Sequence, residues 1–284
     1  MPFNIQKNIL LNRTNNKPIL LDAFIPAASK PSQTILYCHG FKGFKDWGPN
    51  EQMATFFAER NFAFVKFNFS HNGGTPKQPI DFPDPEAFGN NNITKELDDI
   101  DSVLNWIEAQ NIFENLSVKK PVTIMGHSRG SGTAIIKANE DNRINKVISI
   151  AGVSGFQARF IDEETLRLWK ENGVIYIENS RTKQQLPLYY QIAEDIYGNA
   201  DRLNVEKASK ELNKPHLIIH GTDDPTVPVE EAFSVHKWSK KSQLKIIEGA
   251  DHVFNVKHPW EESKLPAGYN EMLDSCFSFL TQRD

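Results

Sequence analysis

The stretch Pro121–Ala138, PVTIMGHSRGSGTAIIKA, opens as an apolar β-branched run and closes with helical spacing. Gly126-His127-Ser128-Arg129-Gly130 sits at the joint. A strand that turns this sharply into a helix needs small residues, and a serine there can cap the helix that follows. The same turn can instead hold the Ser128 hydroxyl out where a substrate meets it. A lone Gly-x-Ser-x-Gly does not decide between the two.

The flanking sequence decides the fold class. Ile5–Leu11 and Ile19–Ile25 are short apolar runs separated by turn formers, and they read as an N-terminal antiparallel pair. Apolar runs at Thr34–Cys38, Phe62–Phe67, Val122–Met125, Val147–Ala151, His216–His220 and Leu244–Ile247 read as strands. Helical spacing appears at Asn50–Arg60, Thr94–Gln110, Ser128–Asn139, Glu230–Trp238 and Tyr269–Thr281. Strand alternating with helix predicts an α/β chain of parallel βαβ units with helices on both faces of the sheet. Residues from about 154 to 212 break this rhythm, being polar and aromatic without a core-type strand. So long a structureless loop is improbable inside a compact domain. The segment is therefore predicted to be a small, mostly helical cap insertion, with a short hairpin at Val174–Ile177, within one domain spanning 1–284. Its aromatics, Phe156, Phe160, Trp169, Tyr176, Tyr189 and Tyr190, either line a pocket or anchor the insertion to the sheet.

Composition narrows the classes further. With 284 residues, 39% hydrophobic and 24% charged, the chain has the make-up of a globular protein able to bury a large core. A net charge of −4 gives no electrostatic argument for nucleic acid or anionic membrane as a partner. No apolar run approaches the ~20 residues that span a bilayer, and the N-terminus lacks a signal-peptide pattern. Cys38 and Cys276 read as buried free thiols, consistent with the cytoplasm. No cluster has metal-ligand spacing, and no metal or other cofactor is expected.

A serine hydroxyl becomes a nucleophile only when a base takes its proton, and the base needs a third group to orient it. Downstream of Ser128, Asp223 and Asp224 follow the His216–His220 strand in HGTDDPTVP, and His252 follows the Leu244–Ile247 strand in EGADHVF. The order serine, acid, histidine, with each residue at a strand's C-terminal end, fits nucleophilic acyl transfer. Spacing alone accepts either aspartate. His39, His127 and His220 read as structural histidines that bond locally, while His71, His236 and His258 have no assigned role.

Together these motifs resemble the α/β-hydrolase fold, and within it the dienelactone-hydrolase-like and cinnamoyl or feruloyl-esterase-like serine hydrolases, near relatives of prolyl-oligopeptidase catalytic domains. His39-Gly40-Phe41 is similar to their oxyanion motif, GHSRG to the nucleophile elbow, and GADHVF to the histidine loop. The resemblance implies a mostly parallel sheet of about eight strands. It also selects Asp224 over Asp223, through the family's G-x-x-D-x-x-V-P register beginning at Gly221. It further implies that Ser128, Asp224 and His252 form the catalytic set, with the backbone N–H groups of Phe41 and Arg129 receiving the oxyanion. The implied function is a carboxylesterase acting on small or medium acyl esters, aromatic acyl esters among the candidates, with peptidase, thioesterase or acyltransferase chemistry, and a non-catalytic binding module, as alternatives. The likeness departs at FNFSHNGGTP (Phe67–Pro76). Asn68 stands there where relatives carry an acid, so the family's ion pair at that loop is not expected here. Phe41–Pro49 can border the acyl pocket or pack over the next helix.

Overall fold

The computed structural model describes residues 2–14, 16–27, 30–110, 122–157 and 162–282. Phe160 lies outside them. The chain opens with β1 (Phe3–Arg13) and β2 (Asn16–Pro26), followed by β3 (Thr34–Cys38), α1 (Asn50–Glu59) and β4 (Ala63–Asn68). A short α2 (Pro85–Gly89), which periodicity does not reveal, precedes α3 (Ile93–Ala109). Then come β5 (Val122–His127), α4 (Arg129–Glu140) and β6 (Ile144–Ile150). The next segment carries α5 (Glu163–Asn172), β7 (Val174–Glu178), β8 (Gln185–Tyr189), α6 (Gln191–Gly198) and α7 (Val205–Glu211). The chain ends through β9 (His216–Gly221), α8 (Val229–Trp238), β10 (Ser242–Ile247) and α9 (Ala267–Thr281).

Eight strands form one sheet in the order β1-β2-β4-β3-β5-β6-β9-β10. Pairing is antiparallel only from β1 to β2 and from β2 to β4, and parallel elsewhere. The central strands β3, β4 and β9 are buried at every position, which explains why they read as continuous rather than alternating apolar runs. Each sheet face carries its own apolar layer. Leu97, Ile100 and Val103 of α3 pack with Ala134, Ile135 and Ala138 of α4 on one side. Met53 and Phe57 of α1 pack with Met272, Leu273 and Cys276 of α9 on the other. Both layers follow from the apolar stripe on each helix. Cys38 and Cys276 are buried free thiols. No helix among the described residues is long and apolar enough to cross a membrane.

The 154–212 segment is held down by its own apolar and polar anchors. Ile192, Ala193 and Ile196 of α6 and Trp169 of α5 join the α3–α4 layer. Asp195 accepts the Thr94 N–H at 3.0 Å, and Trp169 Nε1 donates to the Leu188 carbonyl at 2.7 Å. The hairpin begins at Val174 as read from the sequence, but its return strand is β8, joined by the Asn179–Gln184 turn. The aromatics mostly anchor: Trp169 meets Tyr190 edge to face, and Tyr189 bonds Glu86. Tyr176 faces solvent, and of the described aromatics in that set only Phe156 reaches the cavity described below.

Candidate active site

The glycine-flanked serine is explained by close approach. Ser128 sits at the β5–α4 joint with φ +55° and ψ −122°, a backbone state that L residues rarely adopt and that marks strained functional positions. Its N–H is tied to the Ile150 carbonyl at 2.9 Å. A Cβ on Gly126 would lie 2.3 Å from the Gly130 carbonyl oxygen, and one on Gly130 would lie 2.5 Å from the Cys38 and His39 carbonyl oxygens. Gly40 packs against the serine itself, since a Cβ there would lie 2.9 Å from Ser128 Cβ. The Ser128 side chain makes no cap hydrogen bond to α4. That removes the helix-capping explanation for the serine.

Asp224, and not Asp223, meets the histidine. His252 Nδ1 lies 2.8 Å from Asp224 Oδ2. The other carboxylate oxygen accepts the N–H groups of Thr226 and Val227, both at 2.8 Å. Burial pushes the Asp224 carboxyl up, but the bonds from His220, His252 and Val227 outweigh it and hold the group well below the usual carboxylate range. The Asp224 side chain is fully buried, whereas Asp223 is exposed and bonded to Thr222. The histidine loop is rigidified locally: Asp251 accepts the Val253 and Asn255 N–H groups, and the Gly249 N–H bonds Thr222. Ser128 and His252 line one cavity of about 850 Å³, although Ser128 Oγ makes no hydrogen bond among the described residues. Such bonds often close only when substrate is bound.

His220 is buried and bonds locally, as the sequence suggested, but one of its partners is the carboxylate that meets His252. It is fully buried, with Nε2 2.8 Å from the Val227 carbonyl and 3.2 Å from Asp224 Oδ2, while Nδ1 has no partner. Its Nε2–H therefore supports the carboxylate that holds His252. The signal available in the sequence is its place four residues before Asp224 at the end of β9. Changing His220 to leucine is expected to lower kcat by about tenfold to a hundredfold with KM little changed, because a bond to a charged acceptor is lost. The acid limb of the pH–rate profile is expected to move to higher pH, since the carboxylate then bears more uncompensated charge toward His252. An unchanged profile would leave His220 a purely structural residue.

His39 and His127 behave as local structural groups. Phe69 N–H donates to His39 Nε2 at 3.2 Å, so Nδ1–H donates to the Gly40 carbonyl at 2.9 Å. His127 Nε2 bonds the His252 carbonyl at 2.9 Å and its ring lies 4.9 Å from the His252 ring. Burial pushes His39 down to about 4 and His127 to about 3, with His252 adding to the latter. Burial likewise lowers His71 to about 4 and His216 to about 3. Unfolded imidazoles titrate near 6.5, so between pH 4 and 6.5 the unfolded chain binds protons that these four refuse. Burial raises Asp99 to about 7 and also raises Glu96, which acts in the opposite sense. Burial lowers His258 as well, so five imidazoles against two carboxyls leave stability rising with pH over this window. Unfolding free energy is therefore expected to fall as pH drops from 6.5 to 4, by roughly 3 kcal/mol from His39 alone, and the thermal midpoint falls with it. A midpoint flat over that range would contradict the neutral imidazoles.

The Phe41–Pro49 loop borders the cavity and is anchored to the sheet by charge. Phe41, Lys42, Phe44 and Trp47 line the cavity. Lys45 turns inward to Asp22 at 2.8 Å and Asp46 at 2.6 Å, while Lys66 joins both acids. Removing one member of a buried charge set typically costs ~3–5 kcal/mol, so this network pins the loop to β2 and β4. Asn68 contributes neutral bonds instead of an ion pair, accepting from Lys45 N–H at 2.6 Å and donating to the Pro79 carbonyl at 2.9 Å. Arg129, the first residue of α4, leaves its N–H unpaired within the helix. Its guanidinium pairs with buried Glu96 and lies 4.7 Å from the Phe41 ring, linking the two residues whose N–H groups the motif assigns to an oxyanion. Among the described residues no group of three His, Cys, Asp or Glu could hold a metal.

Part of the wall is aliphatic, from Ile175, Leu188, Ile192 and Val153. The arrangement offers a strained hydroxyl, an imidazole backed by a buried carboxylate and a large apolar chamber.

A model described as the prolyl oligopeptidase family matches residues 50–264. No curated protein matches the chain by sequence. Among solved structures, Est1E from Butyrivibrio proteoclasticus, determined with ferulic acid bound, shares 18% identity and a TM-score of 0.70, covering 96% of this chain and 100% of that one. A putative hydrolase from Agrobacterium vitis shares 17% identity with a TM-score of 0.70, covering 98% and 99%. Dienelactone hydrolase from Anabaena variabilis shares 13% with a TM-score of 0.64, covering 99% and 98%. These likenesses show the α/β-hydrolase fold.

Proposed function

The chain belongs to the prolyl oligopeptidase family of α/β hydrolases, and from that premise we propose that it is a serine hydrolase cleaving small or medium acyl esters. In this reading Ser128 Oγ attacks the acyl carbonyl while His252 takes its proton and returns it to the leaving alcohol. Asp224 keeps the imidazole in the productive tautomer, and its 2.8 Å bond to His252 Nδ1 is the observation that carries the proposal. The N–H groups of Phe41 and Arg129 receive the oxyanion, a contribution typically worth ~3 kcal/mol per donor. Water then attacks the acyl-enzyme with His252 again as base. The segment over the site acts as its cap, and its aliphatic wall suits an apolar acyl or alcohol group. Ester cleavage is supported by the likeness to Est1E and to dienelactone hydrolase. The family match itself favours amide cleavage as a second reading. Two buried free thiols support a reducing compartment, the cytoplasm.

A fluorophosphonate should label the protein at Ser128, as located by peptide mass. A panel of p-nitrophenyl esters, hydroxycinnamate esters, acyl thioesters and aminoacyl amides then ranks the bond cleaved. Ester turnover exceeding amide turnover supports the first reading and the reverse supports the second. Absence of labelling would remove both.

A further inference from the structure

Glu96 is a buried carboxylate whose partners lead to the active site. It lies on α3, its side chain is 1% exposed, and it is absent from the cavity wall. Its Oε1 accepts from Asn91 Nδ2 at 2.8 Å and from the Arg129 guanidinium. Burial pushes the Glu96 carboxyl up, and the Arg129 charge is the strongest influence against that shift. An arginine–carboxylate pair is strongest when two parallel bonds form. Here Glu96 Oε2 and Arg129 Nε are buried with no hydrogen-bond partner among the described residues. A pair placed for stability alone would close that second bond. Instead the guanidinium lies over the Phe41 ring, 4.7 Å from its centroid, and the same ring meets Phe88 of α2 at 5.6 Å.

What the ring holds is a strained turn. Gly43 N–H donates to the Gly40 carbonyl at 3.0 Å, closing a four-residue turn with Phe41 and Lys42 at its centre. Lys42 has φ +55°, at the position where such turns usually carry glycine. A side chain there is strained, so the turn needs support from outside itself. Its conformation sets the direction of the Phe41 N–H, which meets no acceptor among the described residues. The Lys45 network anchors the loop beyond the turn and leaves the Phe41 ring to Arg129 and Phe88. Arg129 thus carries one free donor on its backbone, and its side chain grips the residue that carries the other.

Resting on the ester-hydrolase reading, we infer that Glu96 is a positioning residue for the oxyanion site: it fixes the Arg129 guanidinium against the Phe41 ring so that the Phe41 and Arg129 N–H groups converge on the tetrahedral oxygen. Glu96 also neutralises Arg129, so that side chain serves as a brace and not as a receptor for an anionic substrate. Donors lower a barrier most when they are already aimed where charge develops, and the brace supplies that aim.

Two ketones that differ in whether an oxyanion forms test the brace. With phenethyl trifluoromethyl ketone, Ser128 Oγ bonds to the carbonyl carbon, the π pair moves onto oxygen, and the serine proton passes to His252. Phenethyl methyl ketone binds without that step. Calorimetry on the unmutated protein is expected to show the trifluoromethyl ketone bound at least about a hundredfold more tightly, as for an analogue of the transition state. Glu96→Gln should weaken it about tenfold and lower kcat for p-nitrophenyl butyrate equally, while methyl ketone affinity and KM move less than about twofold. Phe41→Leu, at a residue 36% exposed, should show the same selective loss and keeps the test open if Glu96→Gln does not fold. In the Phe41→Leu background, adding Glu96→Gln should cost no more than about twofold further, since both changes break one chain of contacts. Equal weakening of both ketones, or losses that multiply in the double variant, makes Glu96 structural and overturns the proposal. A trifluoromethyl preference kept in both variants overturns the brace and leaves the ester reading standing. A preference lost in both, in a protein that cleaves amides and no ester, leaves the brace standing while the ester reading falls. No preference in the unmutated protein overturns both.

Discussion

Changing Ser128 to alanine is expected to lower kcat for the best ester by about 10⁴-fold to 10⁶-fold, since a triad loses nearly all its function with its nucleophile. The fold should survive, because the Ser128 side chain caps nothing and the elbow is held by backbone: its N–H on the Ile150 carbonyl, and Gly126 against Gly130. The measurement is single-turnover and steady-state hydrolysis beside a thermal melt. Near-normal turnover from a folded Ser128→Ala protein would place the chemistry elsewhere. A melt collapsed by this substitution would show that the serine is structural.

The second large effect separates two adjacent aspartates. Asp224→Asn is expected to cost about 10⁴ in kcat, because an amide facing His252 Nδ1 favours the wrong tautomer. The same change also offers NH₂ or a neutral oxygen to the N–H groups of Thr226 and Val227, which now share a buried carboxylate oxygen. Asp223→Asn alters an exposed side chain bonded, among the described residues, to Thr222 Oγ1 and should leave turnover within about twofold. Equal losses at both positions, or a larger loss at 223, would overturn the assignment. Both variants share a loop and differ little in volume, so the comparison controls for local disturbance.

Much of this was legible beforehand because the signals are local. The buried strands announce themselves as unbroken apolar runs. A serine between Gly126 and Gly130 reports a turn that tolerates no Cβ. The aspartate after β9 and the histidine after β10 fall where parallel sheets end their strands; the parallel βαβ units follow from the alternation, and the sheet of about eight strands from the family resemblance. The short α2 was not legible, because five residues are too few for a period to show. The second strand of the hairpin, Gln185–Tyr189, was hidden by Pro187 and by mixed polarity. The cap aromatics looked equally suited to pocket or anchor, since an apolar ring suits either and only packing partners tell them apart.

What the sequence determined by itself is the class of machine: an α/β hydrolase chain with a serine, an acid and a histidine in order, because these depend on spacing within single loops. What only the tertiary structure decided depends on residues far apart in the chain arriving together. His220 supports Asp224 because a β9 side chain points into the loop that follows. Lys45, Lys66 and Asp22 meet from three separate segments. Glu96, Arg129 and Phe41 come together from α3, α4 and the loop after β3. No local pattern records such a meeting, because the free energy that selects it comes from burial and charge compensation across the fold, not from propensities along the chain.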